Sequence, residues 1–135
     1  MKCKEVIVVE DDRDIRESVQ TVLEMEGYCV RCFCNGKEAL DGLRGDLEPS
    51  LILLDLMMPV MDGWSFLQAK GKLKTCPFTS SPVVVVSAVA DRAREFQGVS
   101  EFIRKPLDID LLLRTVEKHC SPSSGGTPDR VRSIA

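Results

Sequence analysis

A single histidine in 135 residues leaves little room for chemistry built on imidazole. His119 falls near the end of the last helical pattern, where the negative pole of a helix favours a cation, so a Ser-His or metal-His mechanism is not expected. No run of basic residues of the kind that tracks a phosphate backbone is present and the formal net charge is −3, which argues against direct nucleic-acid binding. Long apolar runs are missing too. None approaches the roughly 18 residues needed to cross a bilayer, and Met1-Lys2-Cys3-Lys4-Glu5 lacks the apolar centre of a signal peptide. A cytoplasmic location without membrane attachment is expected. Among the six cysteines only Cys29, Cys32 and Cys34 cluster, and the second ligand pair of a structural zinc site is absent. In an extended segment Cys29 faces away from Cys32. Reduced cysteines serving as small apolar fillers are therefore expected.

What is present is ordinary in amount and ordered in pattern. An apolar fraction of 44% and a charged fraction of 29% suit one globular domain, long enough to bury roughly two thirds of its unfolded surface. Strand and helix patterns alternate along it. Val6-Ile7-Val8-Val9 reads as a strand, and Asp12 or Asp14 opens a helix whose Ile15, Val19, Val22 and Leu23 share one face until Gly27 closes it. Residues 28–33 read as a strand. Asn35 with Glu38 resembles a capping box for a helix that buries Ala39, Leu40 and Leu43. A strand at 51–54 and a helix at about 64–73 follow. Val83-Val84-Val85-Val86 has the unbroken apolar character of a parallel-sheet interior. A short helix near 91–96, a strand near 100–103 and a helix capped by Asp108 that buries Ile109, Leu112, Leu113 and Val116 complete the series. Five βα units with right-handed crossovers give an α/β fold, a parallel sheet with helices on both faces. Residues 121–135 change composition abruptly and read as a flexible tail or the start of a linker, leaving 1–120 as the domain.

Function concentrates where strands run out. Asp55 follows Leu51-Ile52-Leu53-Leu54, and a carboxylate there is costly to desolvate without a compensating cation or donors. Glu10-Asp11-Asp12 follow the first strand, and Lys105 follows Phe102-Ile103-Arg104. Each has a plainer reading in isolation: acids at a helix N-terminus, a turn Asp, a strand-end hydroxyl at Ser87, a solvated lysine, ordinary strand packing at Phe102. An Asp nucleophile of the haloacid-dehalogenase type would need an Asp-x-Asp motif after the first strand, which Glu10-Asp11-Asp12 does not supply.

Taken in order, Glu10-Asp11, Leu54-Asp55-Leu56-Met57-Met58-Pro59 with Asp62-Gly63, Ser87-Ala88 after the valine run, and Lys105-Pro106 resemble the response-regulator receiver domain of two-component (phosphorelay) signalling. The resemblance covers residues 4 to about 119. It implies a doubly wound, flavodoxin-like five-stranded sheet of order 2-1-3-4-5, with the site beyond the carboxyl ends of the strands where the order reverses. It implies Asp55 as phosphoacceptor, magnesium held by Glu10, Asp11, Asp55 and the backbone carbonyl of Met57, and Lys105 and Ser87 as partners of the phosphoryl oxygens. Ser87 and Phe102 would form the switch, and the Lys105–Pro106 peptide would be cis.

The implied donor is a sensor histidine kinase or phosphotransfer protein, and the implied output a downstream protein or an effector domain outside this chain; a homodimer is left open. Such a domain catalyses only its own phosphorylation and dephosphorylation. The alternative is a pseudo-receiver, a constitutive interaction module of the same fold. Two departures stand out: Ser87 and Lys105 lie only 18 positions apart, closer than the family usually shows, and Gln97-Gly98-Val99-Ser100 replaces the usual Ala-Gly-Ala approach. A short fourth helix is expected. Apolar Met57 and Val89 flank the expected path of water to the acyl phosphate and imply slow dephosphorylation.

Overall fold

The computed structural model describes residues 4–43, 49–56, 61–72, 81–88 and 99–120. Five parallel strands, β1 (Glu5–Val9), β2 (Cys29–Phe33), β3 (Leu51–Leu54), β4 (Val83–Ser87) and β5 (Val99–Arg104), form one sheet in the order β2-β1-β3-β4-β5. The described helices are α1 (Arg13–Met25), α2 (Gly36–Leu43), α3 (Gly63–Lys72) and α4 (Ile109–Cys120). The short helix expected near 91–96 and the tail 121–135 lie outside the described residues.

The three central strands carry the unbroken apolar runs Val6–Val9, Leu51–Leu54 and Val83–Val86 because both of their faces are covered. Side chains alternate across a strand, and the core divides accordingly. Ile7, Val9, Ile52, Leu54, Val83 and Val85 pack with Ala39, Leu40 and Leu43 of α2 and Phe66 of α3. Val6, Val8, Leu51, Leu53, Val84 and Val86 pack with Val19 and Leu23 of α1 and Leu112 and Val116 of α4. No helix among the described residues is long and apolar enough to cross a membrane.

Helix ends follow local chemistry. Asp12 caps α1, its Oδ1 accepting from Asp14 N at 2.9 Å and Ile15 N at 3.2 Å. The helix stops in a Schellman arrangement, with Gly27 N donating to Glu24 O at 3.0 Å and Tyr28 N to Leu23 O at 3.1 Å, and Gly27 at φ 95°. At α2, Asn35 Oδ1 accepts from Glu38 N at 2.9 Å, while the Glu38 carboxylate accepts from Cys34 N at 3.4 Å, one residue earlier than a capping box requires. Asp108 caps α4 through Leu111 N at 3.2 Å.

Two expectations need correction. Ile109 is 37% exposed. The buried face of α4 runs through Leu112, Thr115, Val116 and Cys120 with Leu113 half-buried, and Ile109, though at the spacing of that face, stands in the first turn, before the buried stretch begins. Thr115 is accommodated there because its hydroxyl donates to Leu111 O at 2.8 Å. Cys32, Cys34 and Cys120 are free, but Cys29 is disulfide-bonded. β2 is an edge strand, and Cys29 at its start is exposed, so it fills no core space.

Cys120 is a filler in the expected sense, 3% exposed on the α1/α4 side. Burial pushes its thiol up from 9.0 to about 11, so folding favours the neutral form. This contribution is complete below pH 9.0 and is lost as pH rises towards about 11. In that window unfolding free energy should fall by up to about 1.4 kcal/mol per pH unit through this group. Cys120→Ala should remove that component, and identical pH slopes for both proteins in denaturant titrations would contradict it.

Candidate functional site

The sheet delivers its chemistry to one edge. Main-chain bonds carry the ladders one step past the strand ends: Glu10 N donates to Phe33 O at 3.0 Å, Asp55 N to Val9 O at 3.0 Å and Lys105 N to Ser87 O at 3.2 Å. β1 and β3 are neighbours here, and β2 lies on the far side of β1. This reversal opens a crevice at the carboxyl ends of the strands.

Glu10 and Asp55 are both only 4% exposed, whereas Asp11 is exposed. One carboxylate oxygen from each of the three lies within 4.8 Å of the others. Lys105 Nζ stands 3.0 Å from Glu10 Oε1, 3.3 Å from Glu10 Oε2 and 3.5 Å from Asp55 Oδ2. Burial, and next the neighbouring Asp55 charge, push the Glu10 carboxyl up to about 7 despite its bond to Lys105. For Lys105 the largest single influence, burial, lowers its pKa, yet the bond to Glu10 and the two carboxylate charges outweigh it and hold the ammonium above its ordinary value. Two buried acids facing one cation leave negative charge in excess. Three hard oxygen donors in this condition suit a small divalent cation, magnesium or calcium, better than a soft metal.

Ser87 ends β4 and is wholly buried, beside Lys105 through the main-chain bond above. Phe102 lies opposite Val85 and is half-buried against the α2/α3 side of the core. The Lys105–Pro106 peptide is cis. Met57 and Val89 lie outside the described residues. The structure thus brings Glu10, Asp11, Asp55 and Lys105 into one cluster, with Ser87 on the same sheet edge and Phe102 further back along β5.

Two further residues shape the cluster. Gly63 N donates to Leu56 O at 3.0 Å, and a Cβ at Gly63 would collide with the Asp55 carbonyl oxygen and stand 2.7 Å from Leu56 Cα. Only glycine lets α3 start this close to the turn bearing Asp55. Gly63→Ala should cost about 1–3 kcal/mol by overpacking and displace Asp55; wild-type stability in a denaturant titration would show that the turn yields freely. Arg16 was missed in the sequence. Its guanidinium reaches the carbonyls of Glu10 and Asp11, and the available signal was a basic residue one turn after the Asp12 cap, where helical side chains lean back towards the N-terminus.

Residues 6–117 match the family model of the response regulator receiver domain. The response regulator Rre1 of Synechocystis is 41% identical over 79% of this chain and 47% of its own length. An uncharacterized 14.6 kDa protein from the sodA1 3' region of Leptolyngbya boryana is 34% identical over 86% of this chain and 89% of its own length. The chain therefore spans nearly all of one relative and about half of the other. The Francisella response regulator 1452 receiver domain superposes with a TM-score of 0.78 at 28% identity, covering 89% of this chain and 98% of that one. TrrA of Thermotoga maritima, solved in complex with Mg(2+)-BeF, gives 0.73 at 26% identity over 85% of this chain and 97% of that one. With its sheet order, its strand-end acids and a match across most of its length, this chain belongs to the response-regulator receiver family, the signalling domain of two-component systems.

Proposed function

We propose that this receiver domain, placed over residues 1–120 with 121–135 as a tail or linker, accepts a phosphoryl group on Asp55 from a sensor histidine kinase or phosphotransfer protein in the cytoplasm. One observation carries the reading. Asp55, 4% exposed, shares Lys105 with Glu10 at the switch point of the sheet, and Asp11 joins the same cluster of oxygens. A structural ion pair would need one acid for Lys105, whereas two buried acids share it and an oxygen of a third carboxylate lies within 4.8 Å of theirs.

An Asp55 carboxylate oxygen attacks the phosphorus of the donor's phosphohistidine, the phosphorus–nitrogen bond breaks, and an acyl phosphate remains on Asp55. Catalysis of such a transfer is mainly positioning and charge stabilisation. Lys105 supplies a point charge to the phosphoryl oxygens, and the buried hydroxyl of Ser87 is the second donor. Magnesium held by Glu10, Asp11 and Asp55, with the Met57 carbonyl as a fourth ligand, would neutralise charge on the incoming group. Ser87 and Phe102 relay the modified state to the face used by the target, either a separate protein or an effector domain of the kind that the extra length of Rre1 can accommodate. The chain itself turns over no other substrate and contacts neither nucleic acid nor membrane directly.

Incubation with a small phosphodonor and magnesium, followed by intact-mass measurement, tests the reading. One added phosphoryl group, lost on removal of magnesium from the incubation, is expected. No uptake at saturating donor and magnesium would leave only the interaction-module alternative.

A further inference from the structure

The stretch that carries Glu10 and Asp11 lies outside both β1 and α1. Two of its amides have partners: Glu10 N donates to Phe33 O at 3.0 Å and Asp12 N to Glu10 Oε2 at 3.2 Å. Its carbonyls have a different partner. A single Arg16 nitrogen, Nη1, donates to Glu10 O at 2.9 Å and to Asp11 O at 3.4 Å. Among the described residues these are the only hydrogen bonds to either carbonyl, and Arg16 forms no ion pair. A half-buried guanidinium is thus committed to two neutral oxygens, although carboxylates stand on the very residues it touches. A charged donor on a carbonyl makes a stronger hydrogen bond than a neutral one, and it fixes the direction of the peptide planes from which both acids project.

We infer that Arg16 is a positioning residue of the acidic cluster: by binding the main chain of Glu10 and Asp11 from behind, it sets where their carboxylates meet Asp55. The inference rests on the proposed magnesium site and concerns the affinity of that site. Arg16 is not a ligand and touches no phosphoryl oxygen. Removing its charged donor frees the two peptide planes, and the cost falls on assembling the ligands. Groups that orient ligands in this way typically affect metal affinity by about 10–100-fold.

The test is a magnesium titration of the intact protein by calorimetry, without phosphodonor. Arg16→Met keeps much of the apolar stem, and affinity should fall about tenfold. Arg16→Lys restores a charged donor on a shorter reach and should recover part of that loss. In phosphorylation assays Arg16→Met should raise the half-saturating magnesium concentration and leave the rate at saturating magnesium within about twofold of wild type; a merely structural role would lower both together. Magnesium affinity unchanged in Arg16→Met would overturn this inference and leave the proposed site standing. If Arg16→Met does not fold, Arg16→Gln, which removes the charge and shortens the reach, takes its place, and wild-type affinity there with unaltered magnesium dependence overturns the inference. A wild-type protein that binds no magnesium would remove both readings.

Discussion

Asp55→Asn is expected to take up no phosphoryl group at all, under conditions in which wild-type protein is modified to completion. The amide matches the carboxylate in shape but cannot act as the oxygen nucleophile of an acyl phosphate. The fold should survive, because Asp55 N keeps its bond to Val9 O at 3.0 Å. Lys105 also keeps its nearer partner, Glu10 at 3.0 Å against 3.5 Å to Asp55. Removing one of two buried like charges offsets the loss of the longer contact, so without magnesium the variant should melt at or above the wild-type temperature. The stabilisation that magnesium gives the wild type should shrink. Retained phosphorylation in intact-mass measurements would place the acceptor elsewhere, and peptide mapping would locate it.

Lys105→Ala should have the second largest effect and separate binding from transfer. All three carboxylates remain, so magnesium still binds. Phosphorylation from a small donor at saturating magnesium should fall about hundredfold, the lower end of what losing one preorganised donor costs. Without magnesium the variant should be less stable than wild type, since Glu10 and Asp55, each 4% exposed, lose their shared cation. The loss should be smaller than the roughly 3–5 kcal/mol of a fully buried pair. Lys105 is 19% exposed, and Glu10, already pushed up to about 7, can take a proton instead. A wild-type transfer rate would remove Lys105 from the reaction and leave it a purely structural counter-ion.

The central strands were legible in the sequence because parallel strands buried on both faces carry unbroken apolar runs, as Leu51–Leu54 and Val83–Val86 do. Asp12, Asn35 and Asp108 announced the starts of their helices through short-range capping, and strand-end placement alone brought Glu10, Asp55 and Lys105 into view. What stayed hidden depended on placement in space. Ile109 fits the apolar spacing of α4, but it stands in the first turn, ahead of the buried stretch from Leu112 to Cys120. Cys29 was assigned to the core with the other thiols, although it opens an edge strand. Arg16 binds main-chain carbonyls, which no side-chain motif encodes, and Gly63 matters for an approach between two backbones. Spacing along the chain records none of these.

The pairing of β4 with β5 contains a phase shift. Val83 lies opposite Val99, but Val84 lies opposite Glu101, so Ser100 is the extra residue between two registers. Because side chains alternate with a period of two, this insertion inverts the parity of every later pair. It puts Phe102 in the same column as Val85, two residues from Ser87 and on the same face, and it puts Ile103 beside Val86 on the other. Had the first register continued, Glu101 would stand opposite Val85 and Phe102 opposite Val86, with hydroxyl and ring in different compartments. The start of the loop after β5 would also sit one residue, about 3.3 Å, out of step with Ser87, enough to withdraw the Lys105 ammonium from Asp55. The insertion of Ser100 is therefore a timing mark. It synchronises the lysine with the acid at one end of the strand and the aromatic ring with the hydroxyl's face of the sheet.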